Sequence, residues 1–192
     1  MTPTLKLPFT FDPATLQHDV QNLGPDEWTP HFNTQYYEGD WSGVALRAAA
    51  GAHVGLYPDP AAEEYVDTPM LERCPSVQVV LSMFECETES VRYLRLGPGA
   101  RILKHRDYNL SADDGLARVH IPVKTSEQVD FYLDGNRIEM KEGEAWYLNF
   151  NLFHSVENHG DDERIHLVID CIVNEWFLGF FTPNNSDRAN ES

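Results

Sequence analysis

Four residues in the second half of the chain have the types and the order of a metal site with an anion site beside it. His105 and Asp107 form a His-x-Asp pair, and His154 and Arg164 follow them. Two imidazoles and one carboxylate are the protein ligands of a non-haem Fe(II) centre that leaves coordination positions open. An arginine next to such a metal suits an anionic co-substrate, because a guanidinium donates parallel hydrogen bonds to a carboxylate. We therefore predict a metal centre at His105, Asp107 and His154, with Arg164 beside it.

A His-x-Asp pair is weak evidence by itself. About one His-x-acid match is expected by chance in a chain with 8 His and 31 acidic residues. A second pair, His159 and Asp161, does occur, within a run of polar turn residues. His105 and Asp107 instead end a predicted strand, where a period of two places both side chains on one face, and we favour this pair. A lone histidine such as His154 is more often a hydrogen-bonded core residue, so it is the combination that favours a metal site.

The region that contains these residues reads as short strands separated by clusters of Gly, Pro, Asn and Asp. Asp134-Gly135 between two apolar segments is a strong signal for a two-residue hairpin. Closely spaced strands without intervening helices predict a mainly β fold, a sandwich or jelly roll. The predicted strands cover residues 91–96, 101–105, 117–123, 128–133, 136–140, 144–150, 154–157 and 164–173.

The N-terminal half predicts a few helices around one strand. Asp12 and Pro13 are typical of a helix start, and this helix is expected to end near residue 23. A second helix is expected from Pro75 to residue 84, although its valines lower helix propensity. A strand is expected at 39–47, followed by a surface connection at 48–74. The chain is expected to form a single domain at 1–182, with an N-terminal part at 1–88 and a jelly-roll core at 89–175. A disordered tail is expected at 183–192.

Composition excludes some partners. The formal net charge is −17, with 31 acidic against 14 basic residues, so nucleic acid and anionic membranes are unfavourable partners. The sequence has no apolar run of about 18 residues and no apolar N-terminal signal. Its three cysteines form no Cys-x-x-Cys pair, which favours reduced thiols and a cytoplasmic protein. The oligomeric state is not readable from the sequence.

Arginines gather between residues 92 and 118 in this acidic chain. Such a cluster builds either a local anion site or a set of solvated charges on strands, and both interpretations stay open. Arg95, two residues before the Gly-Pro-Gly turn that leads to the His-x-Asp pair, has the same two interpretations. It is either a further contact for an anionic substrate or a surface charge.

A series of short stretches repeats the order and spacing of a known family: RLGPG at 95–99, HRD at 105–107, RVH at 118–120, GEAWYLN at 143–149, HSVEN at 154–158 and RIHLVID at 164–170. Together they resemble the aspartyl/asparaginyl β-hydroxylase family of 2-oxoglutarate- and Fe(II)-dependent oxygenases, which includes bacterial proline-hydroxylase-like members. The resemblance covers a little under half of the chain. It implies a double-stranded β-helix, the cupin-like form of the jelly roll.

The resemblance also implies a role for matching residues. His105, Asp107 and His154 would bind Fe(II), with 2-oxoglutarate as co-substrate and O2 as oxidant. Arg164 would pair with the distal carboxylate of 2-oxoglutarate.

Two further positions match on one predicted strand. His120 aligns with a position that also contacts 2-oxoglutarate, and Arg118 with one that can hold a substrate carboxylate. The animal peptidyl hydroxylases of the family lack the carboxylate ligand, whereas this chain has Asp107. That difference places the chain nearer to the bacterial members that act on small substrates.

The expected function is therefore a dioxygenase that hydroxylates a C–H bond of a small carboxylate-bearing substrate, such as a free amino acid, with succinate and CO2 as co-products. Three alternatives stay open. One is hydroxylation of an Asp, Asn or Pro residue within a protein. Another is a non-catalytic cupin-like module that binds a metal or a small acid as a sensor, because this fold hosts many functions. The third is a structural interaction protein whose histidines are core residues.

Overall fold

The computed structural model describes residues 2–52, 55, 56, 59 and 61–182. Within them the chain forms antiparallel strands and a few short helices. The strands are β1 (Thr4–Thr10), β2 (Thr29–Pro30), β3 (Tyr37–Glu38), β4 (Trp41–Ala49), β5 (Tyr65–Asp67), β6 (Thr88–Leu96), β7 (Arg101–His105), β8 (Leu116–Lys124), β9 (Val129–Leu133), β10 (Asn136–Arg137), β11 (Glu144–Leu148), β12 (His154–Asn158) and β13 (Arg164–Ile172). The α-helices are α1 (Pro13–Gln21), α2 (Pro69–Glu72), α3 (Pro75–Ser82) and α4 (Glu175–Gly179).

The strands form two sheets. The larger sheet has the order β1-β11-β8-β13-β6-β4-β2, with β5 paired to β4, and the smaller has the order β10-β9-β12-β7-β3. One apolar cluster contains Leu94 and Val168 of the larger sheet together with Ile102 and Val156 of the smaller one, so the two sheets face each other. Two antiparallel sheets packed in this way form a jelly roll, which confirms the fold class predicted from the sequence.

The larger sheet is buried on both faces, and its residues alternate between them. On β13, Ile165, Leu167 and Ile169 pack in a second apolar cluster that contains residues of α1, α3 and α4. The residues between them, such as Val168, belong to the cluster shared with the smaller sheet. Because side chains alternate with a period of two, Arg164, His166 and Asp170 lie on the same inner face as Val168. The inner face of the central strands therefore carries charged side chains.

The eight strands predicted between residues 91 and 173 are all present, with ends that differ by a few residues. The largest difference is at 136–140, where β10 ends at Arg137. Asp134 and Gly135 have φ values of 49° and 78°, as the hairpin between β9 and β10 requires, and residues of this kind tolerate positive φ. The two predicted helices correspond to α1 and α3.

The predicted surface connection at 48–74 is wrong in part. It contains β5, which pairs with β4, and α2, whose Leu71 is buried; Leu56 is buried as well. Strand β1 was not predicted either. Pro8 interrupts its Leu-x-Leu pattern, and a proline is tolerated here because β1 lies at the edge of the sheet, where one side of the backbone needs no partner.

No helix within the described ranges is both long and apolar enough to cross a membrane. The C-terminal tail 183–192, predicted to be disordered, lies outside the described residues.

Candidate metal centre

Strand pairing brings two distant histidines together. His105 is the last residue of β7 and His154 the first of β12, and the two are direct partners in the smaller sheet. Asp107 follows β7, and its backbone N–H donates to the Phe150 carbonyl at 2.9 Å. One ligand atom each of His105, Asp107 and His154 lies within 4.8 Å of the other two. The three side chains are thus close enough to share one metal ion.

Hydrogen bonds orient both imidazoles for metal binding. His105 Nδ1 lies 2.7 Å from the Leu103 carbonyl oxygen, and His154 Nδ1 lies 3.1 Å from that of Leu152. A carbonyl only accepts, so each Nδ1 carries the proton and each Nε2 keeps its lone pair. Burial and then the neighbouring His105 lower the pKa of His154 to about 4, so the ring is neutral at physiological pH. The donor set therefore fits a divalent metal such as Fe(II).

Arg118 holds Asp107, the third candidate ligand, in place. Its Nη1 donates to Asp107 Oδ2 at 3.0 Å, which leaves Oδ1 on the side of His105, 3.7 Å from that ring's Nε2. Two further nitrogens of the same guanidinium donate to Asp170, Nε to Oδ1 at 2.7 Å and Nη2 to Oδ2 at 3.1 Å. Arg118 therefore connects the metal centre to the buried inner face of the larger sheet.

Asp170 lies between two arginines. It faces Arg118 across the pairing of β13 with β8, and it also accepts from Arg92 Nη1 at 2.8 Å. Asp170 is fully buried, and Arg92 is 2% exposed. Burial alone raises the pKa of this carboxyl, but the charges of Arg118 and Arg92 outweigh it and hold the pKa below its usual range. Asp170 is therefore ionised, and it compensates one of the two guanidinium charges.

Arg164 lies elsewhere on the same inner face, beside two imidazoles. Its Nη2 donates to His166 Nδ1 at 2.8 Å, and His120 Nδ1 lies 3.2 Å from the same atom. Because His166 Nδ1 accepts from Arg164, it carries no proton, and His120 Nδ1 must be the donor in the second contact. Burial, followed by the charge of Arg164, holds the pKa of both imidazoles well below the usual value.

Arg164 is a buried cation without a carboxylate partner among the described residues. It is 2% exposed, and burial lowers its pKa to about 9, which leaves it charged at neutral pH. Two buried atoms here, Arg164 Nε and His120 Nε2, have no hydrogen-bond partner in the described part of the chain. An isolated buried charge is costly, so the Arg164 guanidinium fits an anionic ligand such as a dicarboxylate. His120 Nε2 carries no proton when Nδ1 donates, so it can only accept a hydrogen bond.

Two cavities adjoin the site from different sides. The metal-side cavity, about 490 Å³, is lined by His105, Asp107 and Arg118 together with aromatic residues that include His31 and Trp41. The Arg164-side cavity, about 700 Å³, is lined by Arg164, His166 and residues of the β8–β9 and β10–β11 connections. His105 and Asp107 thus face a different space from Arg164. Between them, the rings of His120 and Phe150 pack against each other at 5.1 Å, and those of Phe150 and His154 at 4.6 Å.

The fold does not place Arg95 at the candidate metal centre or beside Arg164. Its Nε donates to Ser42 Oγ at 3.1 Å, its guanidinium lies 4.3 Å from the Trp28 ring centroid, and it lines neither of the two cavities. The second His-x-Asp pair is also apart, because His159 is exposed and its Nε2 lies 3.5 Å from the carboxylates of Asp130 and Glu157.

Sequence reasoning missed the residues that support the site. The predicted strands contained Asp170, Arg92 and His166, but these residues were assigned no role from the sequence. One signal was available, namely polar residues at alternate positions of strands that are otherwise apolar, since a period of two places them on one inner face. His31 gave no signal, because only the tertiary fold stacks it on Trp41, with ring centroids 3.5 Å apart.

Comparison with known proteins agrees with this geometry. The family model described as aspartyl/asparaginyl beta-hydroxylase matches residues 12–173. An L-proline cis-4-hydroxylase of Rhizobium meliloti (strain 1021) is 29% identical over 168 residues, which are 83% of this chain and 57% of that protein. An L-proline cis-3-hydroxylase of a Streptomyces species is 24% identical over 163 residues, 83% of this chain and 56% of that protein. The chain thus spans a little over half the length of these curated relatives.

Among solved structures, a 2OG-Fe(II) oxygenase family oxidoreductase of Burkholderia pseudomallei has a TM-score of 0.59 at 16% identity, over 88% of this chain and 85% of that one. At this identity the likeness shows the jelly-roll fold alone. The family model is different evidence, because it covers most of the chain, including His105, Asp107, His154 and Arg164. The chain belongs to the aspartyl/asparaginyl β-hydroxylase family.

Proposed function

We propose that this chain is a 2-oxoglutarate- and Fe(II)-dependent dioxygenase that hydroxylates a C–H bond of a small carboxylate-bearing substrate, such as a free amino acid. The observation that carries the proposal is the buried guanidinium of Arg164, which has no carboxylate partner among the described residues and lies on the sheet that faces the metal ligands. A folded chain keeps such a charge where an anion binds, because burying it unpaired costs several kcal/mol.

Fe(II) and 2-oxoglutarate, when bound, supply the activation of O2 and the transfer of one oxygen atom to the substrate, with succinate and CO2 as co-products. The protein contributes ligand geometry and orientation. His105 and His154 present Nε2, and Asp107 presents Oδ1 while Arg118 holds its other oxygen. Arg164, with His120 beside it, is the proposed contact for the distal carboxylate of 2-oxoglutarate.

Two observations support a small substrate. Both curated relatives are named as hydroxylases of L-proline, a free amino acid. The metal-side cavity, at about 490 Å³, has the size of a small-molecule site and places Arg118 beside Asp107. Free Cys74, Cys86 and Cys171 also support the proposal that the protein works in the reducing cytoplasm.

The first experiment is an anaerobic titration of the Fe(II)-loaded protein with 2-oxoglutarate, followed by visible absorption. Chelation of Fe(II) by the keto acid gives a weak charge-transfer band. We expect the band in the wild-type protein and its loss in Asp107→Ala, because a metal ligand is missing. In Arg164→Ala the affinity for 2-oxoglutarate should fall about 10- to 100-fold, the worth of a hydrogen bond between charged groups.

His159→Ala is the matched control, because it removes the histidine of the second His-x-Asp pair and should leave the band intact. If Asp107→Ala and Arg164→Ala titrate like the wild type, the assigned site is wrong. If Fe(II) binds but no band forms, the chain is a metal-binding barrel without the keto acid, and the sensor interpretation takes its place.

A further inference from the structure

Glu89 is an ionisable residue of the metal-side cavity to which neither the metal site nor the co-substrate site assigns a role. It is half-buried on β6 and lines this cavity together with Arg92, Arg118, His105 and Asp107. Its carboxylate has no hydrogen bond or ion pair within the described residues. Burial, and then the charges of Asp170 and Glu87, raise its pKa. A carboxylate in this environment gains from a cation beside it.

An irregularity in the strand turns Glu89 towards the cavity. On β6, Arg92 and Leu94 line the cavity, whereas Val91 and Tyr93 belong to the apolar cluster on the other face. Regular alternation would place Glu89 with Val91. The pairing of β6 with β13 shifts register at this point, because Val91 and Thr88 pair with residues only two positions apart on β13. Such bulges re-aim a side chain and are common next to active sites.

The charges around the cavity match a zwitterion. Arg92 and Arg118 carry two positive charges, and Asp170, which pairs with both, compensates one of them. Asp107 is assigned to the metal. One positive charge on the guanidinium pair therefore remains for a substrate carboxylate, and Glu89 supplies one negative charge for a substrate cation. A simple carboxylic acid would satisfy the arginines but leave Glu89 without a partner.

We propose that Glu89 binds the protonated amine of a free α-amino or imino acid whose carboxylate faces Arg118 and Arg92. This inference rests on the proposed function and deepens it, because it names the substrate class and a residue that selects it. The rest of the substrate would face the uncharged part of the cavity, where His31 stacks on Trp41 and Tyr36 stacks on His105 at 4.9 Å. Burial and the charge of Arg92 lower the pKa of His31 to about 4, so the His31 ring stays neutral.

The inference separates two alternatives that the sequence left open. A residue within a peptide has an amide in place of the charged amine, so it offers Glu89 no cation. An N-acylated amino acid has the same defect. Glu89 therefore disfavours peptide substrates and favours free amino acids, through a charge-assisted hydrogen bond that only the protonated amine can make.

The test uses the Fe(II)- and 2-oxoglutarate-loaded protein under anaerobic conditions, with the shift of its charge-transfer band as the measure of substrate binding. The probes are the twenty common L-amino acids, then, for the tightest binder, the matching carboxylic acid without the amine and the N-acetyl derivative. For L-proline these are cyclopentanecarboxylate and N-acetyl-L-proline. We expect the wild type to bind the amino acid about 10- to 100-fold more tightly than either analogue.

In Glu89→Gln this preference should disappear, with the affinity for the carboxylic acid unchanged. Glu89→Asp should keep part of it, because the charge remains on a shorter side chain. Glu87→Gln is the matched control, since it removes an exposed carboxylate two residues away on the same approach to β6. The band before substrate addition reports whether each variant still binds Fe(II) and 2-oxoglutarate.

The outcomes are distinguishable. If no band forms in the wild type, the proposed function fails before Glu89 is tested. If the band forms but no amino acid shifts it, or if Glu89→Gln retains the preference for the amine, the role of Glu89 is overturned while the oxygenase proposal stands.

Discussion

At the scale of single residues, the site depends on how a few buried charges are compensated. Asp170 is the centre of this arrangement, since its two oxygens accept from Arg118 and from Arg92 with distances between 2.7 and 3.1 Å. The same carboxylate fixes the Arg118 guanidinium, which in turn donates to Asp107, a proposed metal ligand. A buried ion pair is weak evidence of stability, but removing one partner leaves uncompensated charge in a poorly solvated place.

Replacement of Asp170 by Asn tests this arrangement. The variant keeps the shape of the side chain but leaves Arg92 without its anion and Arg118 with Asp107 alone, and we expect the free energy of unfolding to fall by about 3–5 kcal/mol. Chemical denaturation measures it. Asp67→Asn is the control, because Asp67 pairs with Arg47 at 2.6 Å on the surface, where such pairs contribute about 1 kcal/mol or less. Equal losses in the two variants would contradict the role given to Asp170.

At the scale of elements, the helices support the sheet that carries the inner-face charges. Asp19 of α1 is fully buried, and its Oδ2 accepts from the backbone N–H groups of Ser76 and Val77 at 2.8 and 3.2 Å. Both N–H groups lie in the first turn of α3, where the Val77 N–H also donates to the Cys74 carbonyl at 3.1 Å, so a side chain of one helix caps another. Leu16 of α1 and Val77 and Val80 of α3 pack in the cluster on the outer face of the larger sheet.

Asp19→Ala should therefore lower the free energy of unfolding by about 2 kcal/mol, because the partly buried Ser76 N–H loses its acceptor and the buried Val77 N–H keeps only the Cys74 carbonyl. Asp12→Ala is the matched comparison. Asp12 is exposed and caps its own helix through Ala14 N–H at 3.0 Å, so its loss should cost about 1 kcal/mol. Chemical denaturation measures both losses, as shifts of the unfolding midpoint when the dependence of the free energy on denaturant concentration stays unchanged. A smaller loss for Asp19→Ala than for Asp12→Ala would refute the capping role.

At the scale of the whole molecule, the fold buries several histidines in their neutral form. His31 is half-buried, and its pKa is lowered from 6.5 to about 4 by burial and then by the charge of Arg92. His120 and His166 are shifted in the same direction, by burial and then by the charge of Arg164. In the unfolded chain these rings take up protons near pH 6.5. The folded protein therefore binds fewer protons than the unfolded chain between about pH 6.5 and 4.

The free energy of unfolding should consequently decrease as the pH is lowered through this range. For the protein without metal we expect His31 alone to lower the free energy of unfolding by about 1–2 kcal/mol between pH 7.5 and pH 5. Denaturation at a series of pH values in the wild type and in His31→Gln measures this contribution. The slope should be smaller in the variant. Parallel curves for the two proteins would show that His31 is not buried neutral.

Much of the fold was predictable because it depends on local patterns. The eight strands from residue 91 onward and the Asp134-Gly135 hairpin follow from alternation and turn chemistry, which neighbouring residues carry. The misses have a different cause. β1 with its proline and the short β5 are strands because a partner strand pairs with them, and nothing in their own sequence distinguishes them from loops.

For the site, the sequence by itself determined the residue types and their order, and from these the metal ligands His105, Asp107 and His154 and the anion contact Arg164 were predicted. Only the tertiary structure decided which charges meet. Asp170 lies between Arg118 and Arg92 because of the register of three strands, and Glu89 faces the cavity because that register shifts. Register is a property of pairs of distant segments, and one step of it moves a side chain to the opposite face of a sheet, so a linear pattern cannot contain it.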